Sequence, residues 1–329
     1  MDIAIFKKLA AAGLISPVSL EKVKVTAGNR LFSLHWELRT LLYLGVLLLS
    51  GALGILVYKH IDTIGHQIIL LCIGFVCAAC FAYCVRKKLP FSVDKVPAPN
   101  SFFDYLLLLG CLLFITFVGY LQFQYTAFGT AYGLATFIPL SVLLFSAYFF
   151  DHLGVLTMAI TNLAAWMGIA VTPARILKEN DFSSSPLIYT ALLLGAILIA
   201  AGVLSRIKNV KRHFDFTYTN FGAHILFIAC LAGLFQFEEN TLFWILLLWG
   251  IAGYFYRYAM QEHSFYFLLI LTLYSYIGLS TVVTRILFRD SGNEEGAFYL
   301  AFFYYIGSAI GLVMLLIHYN KKIKNDARI

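Results

Sequence analysis

At 329 residues, with 61% hydrophobic and only 12% charged, the chain carries more apolar surface than a soluble fold of its length can cover. Its 24 Lys and Arg against 17 Asp and Glu give a formal charge of +7, and its six cysteines form no disulfide framework. A soluble globular enzyme and a secreted disulfide-stapled domain are excluded. The positive charge calls for no nucleic-acid partner, because it falls at the flanks of apolar runs.

Residues 1–37 form a polar cytoplasmic head, read as a helical hairpin. Ile3–Ala12 reads as one helix and Gly13 as its stop. Ser16-Pro17 opens a second helix as N-cap and first-turn proline, and Glu21–Gly28 continues it. The basic stub and short apolar core of a cleavable signal peptide are missing from this stretch. Ten apolar runs follow, at 38–58, 64–85, 102–125, 130–150, 153–173, 186–205, 217–237, 241–258, 264–286 and 297–318. Each can cross about 30 Å of hydrocarbon as a helix. A lone strand there would leave backbone groups unpaired in lipid. The expected fold is an all-α, polytopic transmembrane helix bundle of about ten spans, closed by a basic tail at 319–329.

Orientation follows from the basic residues. With the N-terminus inside, outer segments hold only Lys59, Arg175, Lys178, Arg285 and Arg289, and the other 19 of the 24 fall inside. Both termini are therefore expected in the cytoplasm of a bacterial cell, with the bundle in its inner membrane among membrane lipids. Arg86–Lys88 and Lys208–Arg212 read as solvated flanks, with contact to anionic headgroups as the alternative. Cys77, Cys80 and Cys84 share one face of the second span and read as small packing residues, since no His or carboxylate lies within a turn of them.

Within the head, the run from Phe6 to Val25 contains Leu-Ala-Ala-Ala-Gly-Leu-Ile-Ser-Pro, a second helix, and then a basic-aromatic lead into the first span. This arrangement resembles the bacterial domain-of-unknown-function family 2157. The likeness covers about the first 60 residues, and Phe214–Gly222 (Phe-Asp-Phe-Thr-Tyr-Thr-Asn-Phe-Gly) resembles an aromatic-acidic segment of related chains. The resemblance implies a predicted multi-pass membrane protein with a short helical head. It brings no catalytic or ligand residues.

The later spans repeat a pattern about 110 residues apart. Asp151-His152, Gly168 and Arg175-Ile176-Leu177 recur as Glu262-His263, Gly278 and Arg285-Ile286-Leu287. Leu113-Phe114-Ile115 recurs as Leu226-Phe227-Ile228, and Tyr189 and Ala191 as Tyr299 and Ala301. This divides the membrane part into a leading helix pair, 38–85, and two parallel four-helix repeats, 102–205 and 217–318. An inverted arrangement of five and five spans is the alternative.

Polar groups and helix breaks inside spans mark candidate sites. Asn162, with Trp166 one turn on, needs a partner from a neighbouring helix or a solute. His224, one turn beyond Asn220, is either a packed, satisfied residue or a proton relay. Pro139 frees a backbone carbonyl near Ala135, and Gly250 falls at the matching point of the second repeat, so the pair points to a solute site. Asp151, His152, Glu262 and His263 read as helix N-terminal charges, or as a proton-coupled gate repeated in each unit. Arg175 and Arg285 either snorkel to headgroups or form an outer rim that attracts anions.

No Ser-His nucleophile motif, zinc-protease helix, phosphate loop or paired-aspartate cluster is present, so no catalytic residue, metal or cofactor is expected. The reading is a transporter or flippase for a small or amphipathic solute bound between the repeats. The tyrosines Tyr254, Tyr256, Tyr274, Tyr276, Tyr304 and Tyr305 suit a lipid-like guest, and also suit packing and interfacial belts. A non-transporting scaffold or assembly factor, acting through the head and lipid-facing surface, is the rival.

Overall fold

The computed structural model describes residues 13–28, 65–171, 184–289 and 294–326, together with Phe6, Leu9, Ala10, Leu41, Leu44, Leu48 and Ile55. Apart from those single positions, the expected first span lies outside the described residues, and so does Arg175. Every regular element among the described residues is helical.

The chain divides into two units at His66. In the first, α1 spans Pro17–Gly28. Ser16 caps it, its Oγ accepting the Ser19 N–H at 3.2 Å, which satisfies one of the N–H groups a helix start leaves open. Gly13 ahead of it takes φ +72°, a left-handed turn that glycine adopts without a Cβ clash.

The second unit holds α2 (His66–Lys87), α3 (Ser101–Tyr125), α4 (Tyr132–Phe150), α5 (Leu153–Val171), α6 (Ser185–Lys208), α7 (Asp215–Gln236), α8 (Thr241–Gln261), α9 (Phe265–Arg289) and α10 (Glu294–Asp326). Eight of these are long and apolar enough to cross a membrane, and α5 contributes a shorter apolar stretch, Leu153–Gly168. The nine expected runs from 64–85 onward thus appear as helices within a few residues of their bounds, except that α10 runs on to Asp326, eight residues past the expected 318. The tight joint at 150–153 folds because Asp151 adopts the left-handed conformation (φ 57°), and the N–H of His152 returns to Ala147 O at 3.1 Å.

Two buried cores organise the unit. One draws side chains from α2 through α7 around Leu107, Leu143 and Leu156. The other draws from α6 through α9 around Phe227, Trp244, Phe255 and Phe267. Helices α6 and α7 belong to both and pack closely along their length. Small residues allow this: a Cβ on Gly195 would lie 2.6 Å from Leu226 Cγ, and one on Gly222 would lie 2.7 Å from Ile199 Cδ1. Without a solvent-driven hydrophobic effect in lipid, such close approach is what binds helices together. The thiols of α2 pack in the same spirit, Cys77 Sγ donating to Gly110 O of α3 at 3.4 Å.

Helix α10 stands apart. Only 6% of its membrane window is buried, against 56% for the window that contains α7. It is held mainly through α9.

Candidate functional site

A cluster of charged residues lies at one end of the bundle, where α3, α5, α7 and α9 begin and α4, α6 and α8 end. Asp151 closes α4 as its left-handed C-cap rather than serving as an N-terminal charge of α5. Its carboxylate is withdrawn from solvent: Oδ2 lies 3.1 Å from Lys211 Nζ, and Oδ1 lies 2.7 Å from His213 Nε2. The Val96 N–H, from the segment joining α2 to α3, donates to the same carboxylate. Lys211 is itself left-handed (φ 48°), with a side chain only 1% exposed. Its ammonium also donates to Asp94 O at 3.3 Å, and Ser205 Oγ donates to Val210 O at 2.7 Å, which fixes the turn. A buried ion pair survives only where further hydrogen bonds fill its remaining valences, and this one has them.

Next to it, His152 Nδ1 accepts the Val155 N–H at 3.2 Å, so the ring caps the start of α5. Its Nε2 faces Asp104 Oδ1 at 3.5 Å. That pattern requires the neutral ring with its hydrogen on Nε2. Burial lowers the His152 pKa from its ordinary value, and Asp104 and Asp151 oppose that shift.

Glu262, the counterpart in the repeat, meets a different partner. Its Oε1 lies 3.1 Å from Arg206 Nη1, while Arg206 Nε lies 3.5 Å from Asp215 Oδ2. The guanidinium also stands over the Tyr258 ring at 5.2 Å. His263 adopts the left-handed conformation (φ 49°) and is exposed. A cleft of about 600 Å³ opens here, walled by Lys95, Arg206, Arg212, Asp215 and Glu262.

Arg285, read as an outer headgroup or rim arginine, engages groups of its own bundle, and its Nη2 lies 3.5 Å from Glu238 Oε1. Its Nη1 donates to Leu234 O at 2.8 Å and its Nη2 to Phe235 O at 3.2 Å, so it closes the carbonyl end of α7. A helix C-terminus offers unpaired carbonyls and partial negative charge, which the guanidinium complements.

Inside the bundle, His224 is fully engaged. Tyr266 OH donates to Asn220 Oδ1 at 2.8 Å, so it accepts from His224 Nε2 at 3.3 Å. His224 Nδ1 then accepts from Tyr274 OH at 3.0 Å. Asn162 is the opposite case: its Nδ2 is buried with no hydrogen-bond partner. Trp166, one turn away, packs on Phe137 with ring centres 5.4 Å apart. Because α4 and α5 run antiparallel from a tight joint, that contact sets Asn162 level with the turn holding Pro139. The structure therefore draws Asn162, Trp166 and Pro139 into one hairpin. His224 belongs to another region, and Gly250 is exposed on α8, where an added Cβ would meet nothing within 4 Å.

The cavity that combines apolar walls with converging hydroxyls lies between α8, α9 and α10. It measures about 470 Å³ and is lined by Trp249, Tyr256, Ser275, Tyr276, Tyr304 and Ser308, among others. Hydroxyl pairs stitch α9 to α10 beside it: Tyr276 to Ser308 at 3.0 Å, Ser280 to Tyr304 at 3.2 Å and Thr284 to Tyr305 at 2.8 Å. Three of the tyrosines singled out in the sequence line it. Ser275 and Ser308 also line it, and lone serines in an apolar helix carry no periodic signal in the sequence.

These features define a multi-pass helical membrane protein with a charged cluster at one end and an apolar-walled cavity among its apolar helices. Residues 7–156 match the family model described as predicted membrane protein (DUF2157). The match takes in the head and helices through the start of α5, further than the opening residues alone indicated, and it stops short of Phe214–Gly222. No curated protein matches the chain, and no solved structure matches it.

Proposed function

We propose that this protein binds a small amphipathic or lipid-like molecule within the bilayer and moves it, as a transporter or flippase of the bacterial inner membrane with both termini in the cytoplasm. The observation that carries the reading is the cavity between α8, α9 and α10, which sets apolar walls against a column of hydroxyls at membrane depth. Loosely packed α10 forms one wall, so a guest has a lateral way in from lipid.

The parallel arrangement of two four-helix units, α3–α6 and α7–α10, belongs to the same reading. Asp104 and Asp215 support it, each in the first turn of its unit's leading helix and separated by the 111 residues that also separate Asp151 from Glu262. Residues 38–58 would supply the tenth crossing. The guest site then falls inside the second unit; at the seam, α6 packs closely on α7 at Gly195 and Gly222, beside a smaller cavity of about 240 Å³ between α5, α6 and α7.

The close packing of α6 on α7 at Gly195 and Gly222 favours the rival, a scaffold that moves nothing. The test is scrambling of a fluorescent phospholipid or amphiphile in proteoliposomes, with mass spectrometry of lipid retained on the purified protein. Activity and retained lipid that both disappear in Ala252→Trp, which fills the cavity, support transport. Neither signal in the unaltered protein leaves the scaffold.

A further inference from the structure

The cleft of about 600 Å³ at the charged end carries charges of both signs, and they divide into spent and unspent. Arg206 is spent, bound to Glu262 through Nη1 and to Asp215 through Nε. Asp215 also accepts the Thr219 hydroxyl at 3.1 Å, and His213 is held by Asp151. Lys95, Arg212 and Asp94 line the same cleft and are exposed. None of their side chains has an ion pair or hydrogen bond among the described residues.

The unspent groups stand on fixed backbone. The segment that carries Asp94 and Lys95 is sewn to the turn that carries Arg212. The Lys211 N–H donates to Val93 O at 2.9 Å, its ammonium donates to Asp94 O at 3.3 Å, and the Val96 N–H donates to the Asp151 carboxylate. The buried Asp151–Lys211 pair therefore holds the chain under two cations and one carboxylate at a single opening. A flank that served only as positive charge needs neither a carboxylate among its cations nor a cleft.

Depth and charge narrow the choice of ligand. Helices α6 and α8 end here and α7 and α9 begin, and all four are long and apolar enough to cross a membrane. Their ends lie at the edge of the hydrocarbon layer, where polar headgroups begin. Phe216, 54% exposed, stands on the cleft wall edge-on to Phe267, so apolar surface borders the charges. Two cations suit a phosphate, whose oxygens accept charge-assisted hydrogen bonds from Lys and Arg. The carboxylate repels a bare phosphate and suits an amine a few bonds away. Tyr258 and Ser264 add hydroxyls to the wall, which either end of such a ligand can use.

We infer that the cleft binds a phosphodiester bearing an amine, its phosphate on Lys95 and Arg212 and its ammonium on Asp94. A phospholipid headgroup and a free phosphoamine share that chemistry. The cleft has no lining residue in common with the α8–α10 cavity, so the site stands or falls apart from the proposed guest.

Equilibrium binding to the full chain in detergent tests this, with fluorescent phosphatidylethanolamine and phosphatidylglycerol of identical acyl chains. The probes share the phosphodiester and differ in the amine. The amine lipid should bind about three- to tenfold tighter, the worth of one charge-assisted hydrogen bond at a half-open site. Asp94→Asn should erase that preference. Lys95→Gln combined with Arg212→Gln should weaken both lipids about tenfold. All these side chains are exposed, so the variants keep the fold. Ala252→Trp should leave the preference standing, which tells this site from the cavity. Displacement of the lipid by an excess of soluble glycerophosphoethanolamine assigns a free phosphoamine, and resistance to it assigns the lipid headgroup; either result upholds the site. Phosphatidylglycerol binding as tightly as the amine lipid, a preference that survives Asp94→Asn, or affinities untouched by the Lys95 and Arg212 double variant overturns the inference.

Discussion

The joint between α4 and α5 and the joint between α8 and α9 start from the same letters, an acid followed by histidine. Both reverse the chain by one backbone move: the N–H of His152 returns to Ala147 O, and the N–H of Ser264 returns to Ala259 O. The second joint is one residue longer, with α8 ending at Gln261 and α9 starting at Phe265. The left-handed residue is therefore the acid in the first joint, Asp151, and the histidine in the second, His263. One residue at a helix end is a rotation of about 100°. Asp151 is turned inward onto Lys211 and His213, its side chain 2% exposed, while Glu262 is turned outward, 46% exposed. A repeat in sequence can preserve a turn and still change what its charge does.

The largest effect should come from breaking the inward joint. Asp151→Ala leaves Lys211 charged, buried and unpaired, and should cost about 3–5 kcal/mol of unfolding free energy. Denaturant titration in detergent micelles, followed by helical signal, measures it. A loss under about 1 kcal/mol would place this pair with ordinary surface bridges. A sharper form replaces both partners. Asp151→Asn with Lys211→Met keeps a residue that tolerates the left-handed turn and removes both charges, so most of the stability should return. A double variant as weak as Asp151→Ala would show that the ion pair is more than a satisfied burial.

How much of this was legible in the sequence divides along range. Apolar runs and the Asp-His punctuation place the helices and the tight joint, because both depend on neighbours in the chain. Partners do not follow the same way: Asp151 meets Lys211 and His213 some sixty residues on, inside a basic flank that reads as solvated positive charge. Arg285 has the letters of an outer arginine, yet it finds the open carbonyls of α7 because α9 packs beside that helix. Asp104 and Asp215 could have been found, as they share the spacing of Asp151 and Glu262. The tyrosines of the cavity are visible as an aromatic excess, whereas the cavity itself exists only because three helices leave space between them.

A smaller effect follows from pH. The folded pKa of His152 lies below its unfolded value, so the unfolded chain takes up a proton that the native ring refuses. Stability from this group is whole above the ordinary histidine value of about 6.5 and is lost as pH falls below it. Protonating Nδ1 would also end the bond from the Val155 N–H. The loss should be modest, since Asp104 and Asp151 pull the pKa back toward ordinary. Comparing unfolding midpoints at about pH 7.5 and about pH 5.5 reads it, and His152→Gln should flatten the difference. An equal flattening by His263→Gln would erase the contrast between the joints.

The smallest effect belongs to the outward joint. Removing the carboxylate in Glu262→Ala leaves Arg206 still paired with Asp215 and still over the Tyr258 ring, so no charge is stranded. Nearly half of Glu262 is open to water, and its bond to Arg206 gains little over hydration. The expected cost is at most about 1 kcal/mol. That cost should also fade in about 0.5 M salt, because exposed charges are screened and buried ones are not. The salt dependence separates the joints more cleanly than the magnitude does. A loss at Glu262 that persisted at high salt would mean the outward pair is sheltered after all, and the one-residue rotation would no longer account for the difference between the joints.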